Sequence, residues 1–281
     1  MTNKKIRDTL FCKYVGTEQH LLAIANAIRG THHTDASGIQ INTLKGSFYS
    51  NLKNDISFIL DTLIMMLIEH QTTLNPNMPL RLLSYVDELF RLYMEPEKRK
   101  IYSTELIQLP APEFYVFYDG DDTSFERKIL KLSDAFKAPS HKLELIVQVY
   151  NLATGKNEAL KSICKPLQEY SIFSNQYKLL RKQGLAIDEA VRDTISYCID
   201  NNVMKDYLQH NESEFIDMFG FEWDEKEELE ALLEAGEARG EARGRINSAR
   251  DLLTKGIVTL QALKSSGCYS QEELAAIAKP L

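Results

Sequence analysis

Cysteine is scarce: the 281 residues hold four, Cys12, Cys164, Cys198 and Cys268, scattered along the chain. No C-x-x-C pair or metal-type spacing joins them, which argues against a zinc ribbon or disulfide scaffold and suits free thiols in a reducing cytosol. Long apolar runs are missing as well, and none approaches the ~18 residues of a membrane span. The opening Met1-Thr2-Asn3-Lys4-Lys5 leads into a charged amphipathic segment rather than the apolar centre of a signal peptide. A cytoplasmic location without a membrane partner is the expectation. G-x-S-x-G, P-loop, G-x-G-x-x-G and H-E-x-x-H strings are all absent, which sets aside the nucleotide and hydrolase chemistries they serve.

Excess positive charge is also lacking. The net charge is −7, and residues 222–241 carry nine acidic side chains against Lys226 and Arg239, so that segment alone accounts for it. The remaining chain is neutral, which leaves room for a local basic face of the kind nucleic acid attracts, although no stretch of the sequence announces one. Glu97-Lys98-Arg99-Lys100 is the most basic short run near the central apolar stretch, readable as a solvated face or a phosphate contact. Apolar content of 44% and charged content of 26% are ordinary for a soluble globular chain long enough to bury a core.

What the chain does have is a stretch at 53–71. Two runs rich in β-branched and large apolar residues flank Asp61-Thr62, which predicts a β-hairpin with strands buried on both faces. Its open end carries Asp55 on one strand and Glu69 with Gln71 on the other. Carboxylates at the mouth of a buried hairpin are costly unless something binds them. A divalent cation with oxygen ligands is the natural partner, and Mg²⁺ takes one or two carboxylates plus water and phosphate.

Around this hairpin, apolar spacing predicts helix over 4–29, broken at Gly16-Thr17, with Thr17 as an N-cap and Gly30 as the stop. His32-His33-Thr34-Asp35 reads as a polar connection rather than a ligand set. A strand over 39–50 interrupted by Gly46, a helix over about 80–94, and strands at 103–109, 113–118 and 143–151 follow. Arg81 and Tyr85, four apart, project from one side of their helix. Asp119-Gly120-Asp121-Asp122 reads as a solvated turn. Beyond residue 157 the pattern is helical, near 157–182, 186–201 and 203–219, with Tyr170, Phe173, Tyr177, Tyr197, Tyr207 and Phe219 as core. Glu-Ala-Arg-Gly repeats at 237–244 in a charged tract, and a final helical piece follows.

Several strings together resemble a known family. Asn54-Asp55, a spacing of fourteen, then Glu69-His70-Gln71 is similar to the PD-(D/E)XK nuclease signature. The run Ile68 to Arg81, the opening Arg7-Asp8-Thr9-Leu10-Phe11-Cys12-Lys13-Tyr14, the stretch Glu113 to Gly120 and the stretch Lys165 to Phe173 resemble the bacterial Rpn family of recombination-promoting nucleases, also called transposases. The likeness spans roughly residues 4–224. It implies an α+β fold of the three-layer α/β kind, a PD-(D/E)XK-like mixed sheet flanked by helices with a C-terminal helical extension. Residues 1–221 would form the nuclease domain, with a sheet-bearing core at 1–151 and a helical extension at 152–221. Residues 222–281 would be an acidic, repeat-bearing helical tail.

The resemblance further implies a Mg²⁺- or Mn²⁺-dependent DNA endonuclease of recombination or mobile-element processes. Asp55 and Glu69 would be metal ligands, and Asp55, Glu69 and Gln71 the catalytic set. Gln71 stands where the signature usually has lysine, so positive charge must come from elsewhere, with Arg81 the candidate. Asp8 and Tyr85 complete the accessory candidates, Asp8 being equally readable as a helix-dipole partner. His70 points away from its neighbours on a strand and reads as structural. The alternative is a catalytically silent DNA- or protein-binding relic, and self-association through the helical C-terminal region stays open.

Strand parity adds a geometric condition. A two-residue turn at Asp61-Thr62 would put Asp55 and Glu69 on opposite faces. A shared site requires either a three-residue loop pairing Leu60 with Ile64 or a β-bulge near Asp55, and the bulge is the favoured expectation.

Overall fold

The computed structural model describes residues 3–44, 53–95, 101–140, 142–211, 247–253, 255–266, 268, 269, 273, 274 and 277. Two compact units divide the chain, Met1–Phe221 and Glu222–Leu281. The Gly46 interruption, the basic run at 97–100, the acidic segment 222–241 and the repeat at 237–244 lie outside the described residues.

The first unit opens with α1 (Asn3–Val15) and α2 (Glu18–Arg29). Their separation is local chemistry. Thr17 sits extended and its hydroxyl accepts the His20 N–H at 3.3 Å, while Gly30 ends α2 at φ 67°, in the left-handed region glycine enters freely.

Strands β1 (Ile39–Ile41), β2 (Ile56–Leu60), β3 (Ile64–Gln71), β4 (Ala111–Tyr118), β5 (Arg127–Lys131) and β6 (Ile146–Asn151) form one sheet in the order β1-β2-β3-β4-β6-β5. β3, β4 and β6 run parallel, and β1, β2 and β5 are antiparallel to their neighbours. This is a mixed α+β architecture with helices on both faces. β2 and β3 are buried throughout except at Ile64, as their unbroken apolar runs require.

One face packs Phe58, Met66, Ile68 and Phe117 against α1, α2, α5 (Lys165–Lys182) and α6 (Ile187–Asp200). The other packs Ile59, Met65, Leu67 and Val116 against α3 (Met78–Tyr93). The short helix α4 (Glu158–Ile163) precedes α5, so the expected helix over 157–182 is two helices meeting at Cys164. Pro166 lies in the first turn of α5, where its missing N–H goes unused.

The hairpin settles the parity question against the favoured bulge. Leu60 pairs with Ile64, and the ladder runs unbroken to Ile56↔Ile68. Asp61 and Thr62 do turn the chain with φ of 49° and 61°, but Leu63 belongs to the loop too, its N–H bonding the Leu60 carbonyl at 3.0 Å. Three loop residues make the register even, and Asp55 falls opposite Glu69.

Two other expectations change. Residues 103–109 are not a strand, and the edge strand β5 was not anticipated because Arg127-Lys128-Ile129-Leu130-Lys131 is half charged. Charge on an edge strand guards it against pairing with another chain. In the second unit, α7 (Leu260–Ser265) is capped by Thr259, and Ala249, Leu263 and Ile277 form a small apolar cluster. Among the described residues no helix is long and apolar enough to cross a membrane.

Candidate metal centre

The carboxyl ends of the parallel strands β3, β4 and β6 share one edge of the sheet with the start of β2, the region where open α/β sheets usually bind ligands. Asp55 and Glu69 meet there. The Asp55 N–H donates to Glu69 Oε1 at 3.1 Å, and Asp55 Oδ2 accepts the His70 N–H at 2.7 Å. Asp55 therefore continues the ladder with its side chain one residue beyond the last backbone pair.

α3 approaches Glu69 from one face of the sheet. Arg81 Nη2 lies 3.2 Å from Glu69 Oε2 and 2.9 Å from the Tyr85 hydroxyl, so the four-residue spacing on α3 builds a held cation beside the acid. Gln71 shares that face but is engaged elsewhere. Its Oε1 accepts the Asn75 N–H at 3.0 Å and its amide donates to the Met78 sulfur, tying the β3–α3 loop. The loop is braced from the other side by Gly120, where an added Cβ would stand 2.4 Å from the Thr72 carbonyl oxygen.

α1 approaches from the opposite face. Asp8 and Cys12, one helical turn apart, bring an Oδ and Sγ to within 4.8 Å of each other and of an Asp55 oxygen. Asp8, readable from sequence as a helix-dipole partner or an accessory acid, is brought by the fold into the cluster. Cys12 was missed, although its i+4 spacing from Asp8 placed both on one helix face.

Electrostatics set this cluster apart. Burial, then the Asp8 charge, pushes the Asp55 carboxyl up, and burial, then Asp55, pushes Glu69 up further despite Arg81. Burial and the three carboxylates also drive the Cys12 thiol well above its ordinary range, so it stays protonated. Buried acids raised in this way are short of positive charge. Carboxylate oxygens of Asp8 and Asp55 converge beside the Cys12 sulfur, and such oxygens are the donors a hard divalent cation such as Mg²⁺ or Mn²⁺ prefers. Glu69 is held by Arg81 and the Asp55 N–H, whereas Asp8 and Asp55 present the oxygens that converge.

On the α1 side of the sheet lies a second acid, and here the solvated-turn expectation is corrected. Asp119 follows β4 and is fully buried. Arg7 Nη1 (3.1 Å), Lys178 Nζ (2.7 Å), the Tyr170 hydroxyl (3.0 Å) and the Ser174 hydroxyl all donate to it. Burial alone would raise its pKa, but the His70 ring, Lys178 and Arg7 hold it well below the usual carboxylate range. The local Asp-Gly-Asp-Asp string looks exposed because its partners come from α1 and α5.

His70 points to this side, as strand alternation requires. Its ring stacks on Phe11, with centroids 4.9 Å apart. Nε2 lies 2.8 Å from the Tyr170 hydroxyl and Nδ1 3.1 Å from Asp8 Oδ1.

A cavity of about 610 Å³ between the ends of β4 and β6 and helix α5 is separate from the acids. Its lysines are paired, Lys161 with Glu158 at 2.7 Å, Lys178 with Asp119 and Lys182 with Asp121 at 3.2 Å, so it offers an anion little uncompensated charge. The His32–Asp35 loop is an exposed polar connection in which His33 Nδ1 faces Asp61 at 3.4 Å. Compared with family models, curated proteins and solved structures, the chain matches none.

Proposed function

We propose that the chain is a Mg²⁺- or Mn²⁺-dependent DNA endonuclease of the PD-(D/E)XK type, similar to the Rpn family. The observation that carries the reading is the convergence of Asp8 from α1 with Asp55 just before β2. Glu69 of β3 accepts the Asp55 N–H beside them, at an end of the sheet where burial and repulsion among the acids raise both Asp55 and Glu69. The helix-first order and the mixed sheet with its central hairpin agree with the fold that the signature implies.

In this reading Asp55 and Asp8 would hold the cation, with Glu69 beside them, and a bound cation would supply a water of lowered pKa and charge stabilisation at the phosphate. Arg81 stands where a positive group is needed in place of the signature lysine, and Tyr85 fixes its guanidinium. Gln71 shapes the β3–α3 loop against which Glu69 and Arg81 are set. DNA is the substrate that the resemblance implies.

The test is cleavage of supercoiled and linear DNA with Mg²⁺, Mn²⁺ or a chelator, using wild type, Asp55→Asn and Glu69→Gln. Cation-dependent cleavage by wild type and none by either folded variant is the expected result. Equal rates for all three would remove the site from the chemistry. A second reading, the silent DNA- or protein-binding relic, draws on the Arg81–Glu69 ion pair, which already satisfies one carboxylate. Cation binding by wild type with no cleavage of any DNA form would favour it.

A further inference from the structure

Strand alternation sends His70 to the face opposite Glu69, and so away from the acids on its own strand. The fold returns it to them through α1. Its Nδ1 is 3.1 Å from Asp8 Oδ1, and a carboxylate can only accept, so the ring donates there. That bond occupies one oxygen of a side chain that is otherwise 46% exposed, and Asp8 is one of the groups converging with Asp55.

The other end of the ring is anchored in the buried network. Nε2 meets the Tyr170 hydroxyl at 2.8 Å, and that hydroxyl has Asp119 Oδ2 as acceptor at 3.0 Å. Asp119 is itself fixed by Lys178 from α5 and Arg7 from α1. Arg7 and Asp8 are consecutive, so α1 is gripped at adjacent residues by the two ends of one chain: Arg7–Asp119–Tyr170–His70–Asp8. Phe11, one turn on, closes the ring's remaining freedom by stacking on His70 and meeting Tyr170 edge-on at 5.0 Å.

We propose that His70 and Tyr170 are positioning residues that aim Asp8 at the metal centre, fastening its carboxylate to the buried Asp119. The proposal rests on the metal-centre reading above. Ligating carboxylates are themselves commonly hydrogen-bonded, and losing such an outer partner costs about 10–100-fold in metal affinity or activity. Neither residue touches the cation in this arrangement, and both act through Asp8.

The experiment is Mn²⁺ titration calorimetry on the full chain, with His70→Phe and Tyr170→Phe, each also in an Asp8→Ala background. Both substitutions keep an aromatic ring in place, and Tyr170→Phe removes only a hydroxyl, so it serves if His70→Phe fails to fold. Mn²⁺ binding weakened by about 10–100-fold in His70→Phe, and in the same direction in Tyr170→Phe, is expected. Neither change should weaken it further once Asp8 is alanine, which general loss of packing would not reproduce. Unchanged affinity in folded variants, or equal losses with and without Asp8, would overturn the proposal while leaving the metal centre standing. No Mn²⁺ binding by wild type would overturn both.

Discussion

Two buried acids stand at the ends of neighbouring parallel strands, and the protein treats them in opposite ways. Asp119, after β4, is met by Arg7, Lys178, Tyr170 and Ser174, and its pKa is held down. Glu69, near the end of β3, has one half-exposed Arg81 against itself, Asp55 and Asp8, and its pKa is pushed up. A compensated acid is a fastening. The undercompensated acids at the sheet edge are what the proposed cation site rests on. The difference teaches that the charge around a carboxylate, more than its burial, decides whether its pKa is held down or pushed up here.

The largest effect expected from breaking this contrast is at Asp119. Asp119→Ala leaves Arg7 and Lys178 without their buried partner, a loss of about 3–5 kcal/mol in unfolding free energy. Urea denaturation would measure it, and a change below ~1 kcal/mol would mean the network carries little.

The contrast has a pH signature as well. Asp55 and Glu69 have folded pKa values above their unfolded ones, so the stability they contribute is present below the ordinary carboxylate range. It is lost as pH rises through the folded values, up to about 8 for Glu69. In chelator, the thermal midpoint should fall between pH 5 and 8.5 on this account, and Mg²⁺ should restore it most at the alkaline end. Glu69→Gln should flatten the slope. A slope unchanged by that substitution would place the titration elsewhere. Asp119 has the opposite sign: its contribution is present above the unfolded value and lost only as pH falls through its depressed one.

Gln71 sharpens the comparison with a smaller effect. Its carboxamide is spent on the Asn75 N–H and Met78, so Gln71→Ala should cost about 1 kcal/mol of stability. Mn²⁺ affinity should change little in the same variant. Complete loss of Mn²⁺ binding would instead make its side-chain oxygen a ligand.

Much of this was legible in the sequence, and the gaps have physical causes. The α1–α2 break, the hairpin and the helix bearing Arg81 and Tyr85 were readable because caps and periodicity are local. The hairpin's register was not, since Asp61-Thr62 looks like a complete two-residue turn and nothing local says that Leu63 joins it. Asp119 was misread because its neutralising groups lie 112 residues before it and 59 after it. His70 was rightly placed on the far face from strand parity, but its route back through Asp8 depends on how α1 docks.

The most direct test of the central claim is anomalous diffraction from crystals grown or soaked with Mn²⁺. The account predicts a peak at the β2–β3 mouth within about 2.0–2.4 Å of carboxylate oxygens of Asp55 and Asp8, beside Glu69. A density map without a peak there, at a Mn²⁺ concentration that supports DNA cleavage, would contradict it.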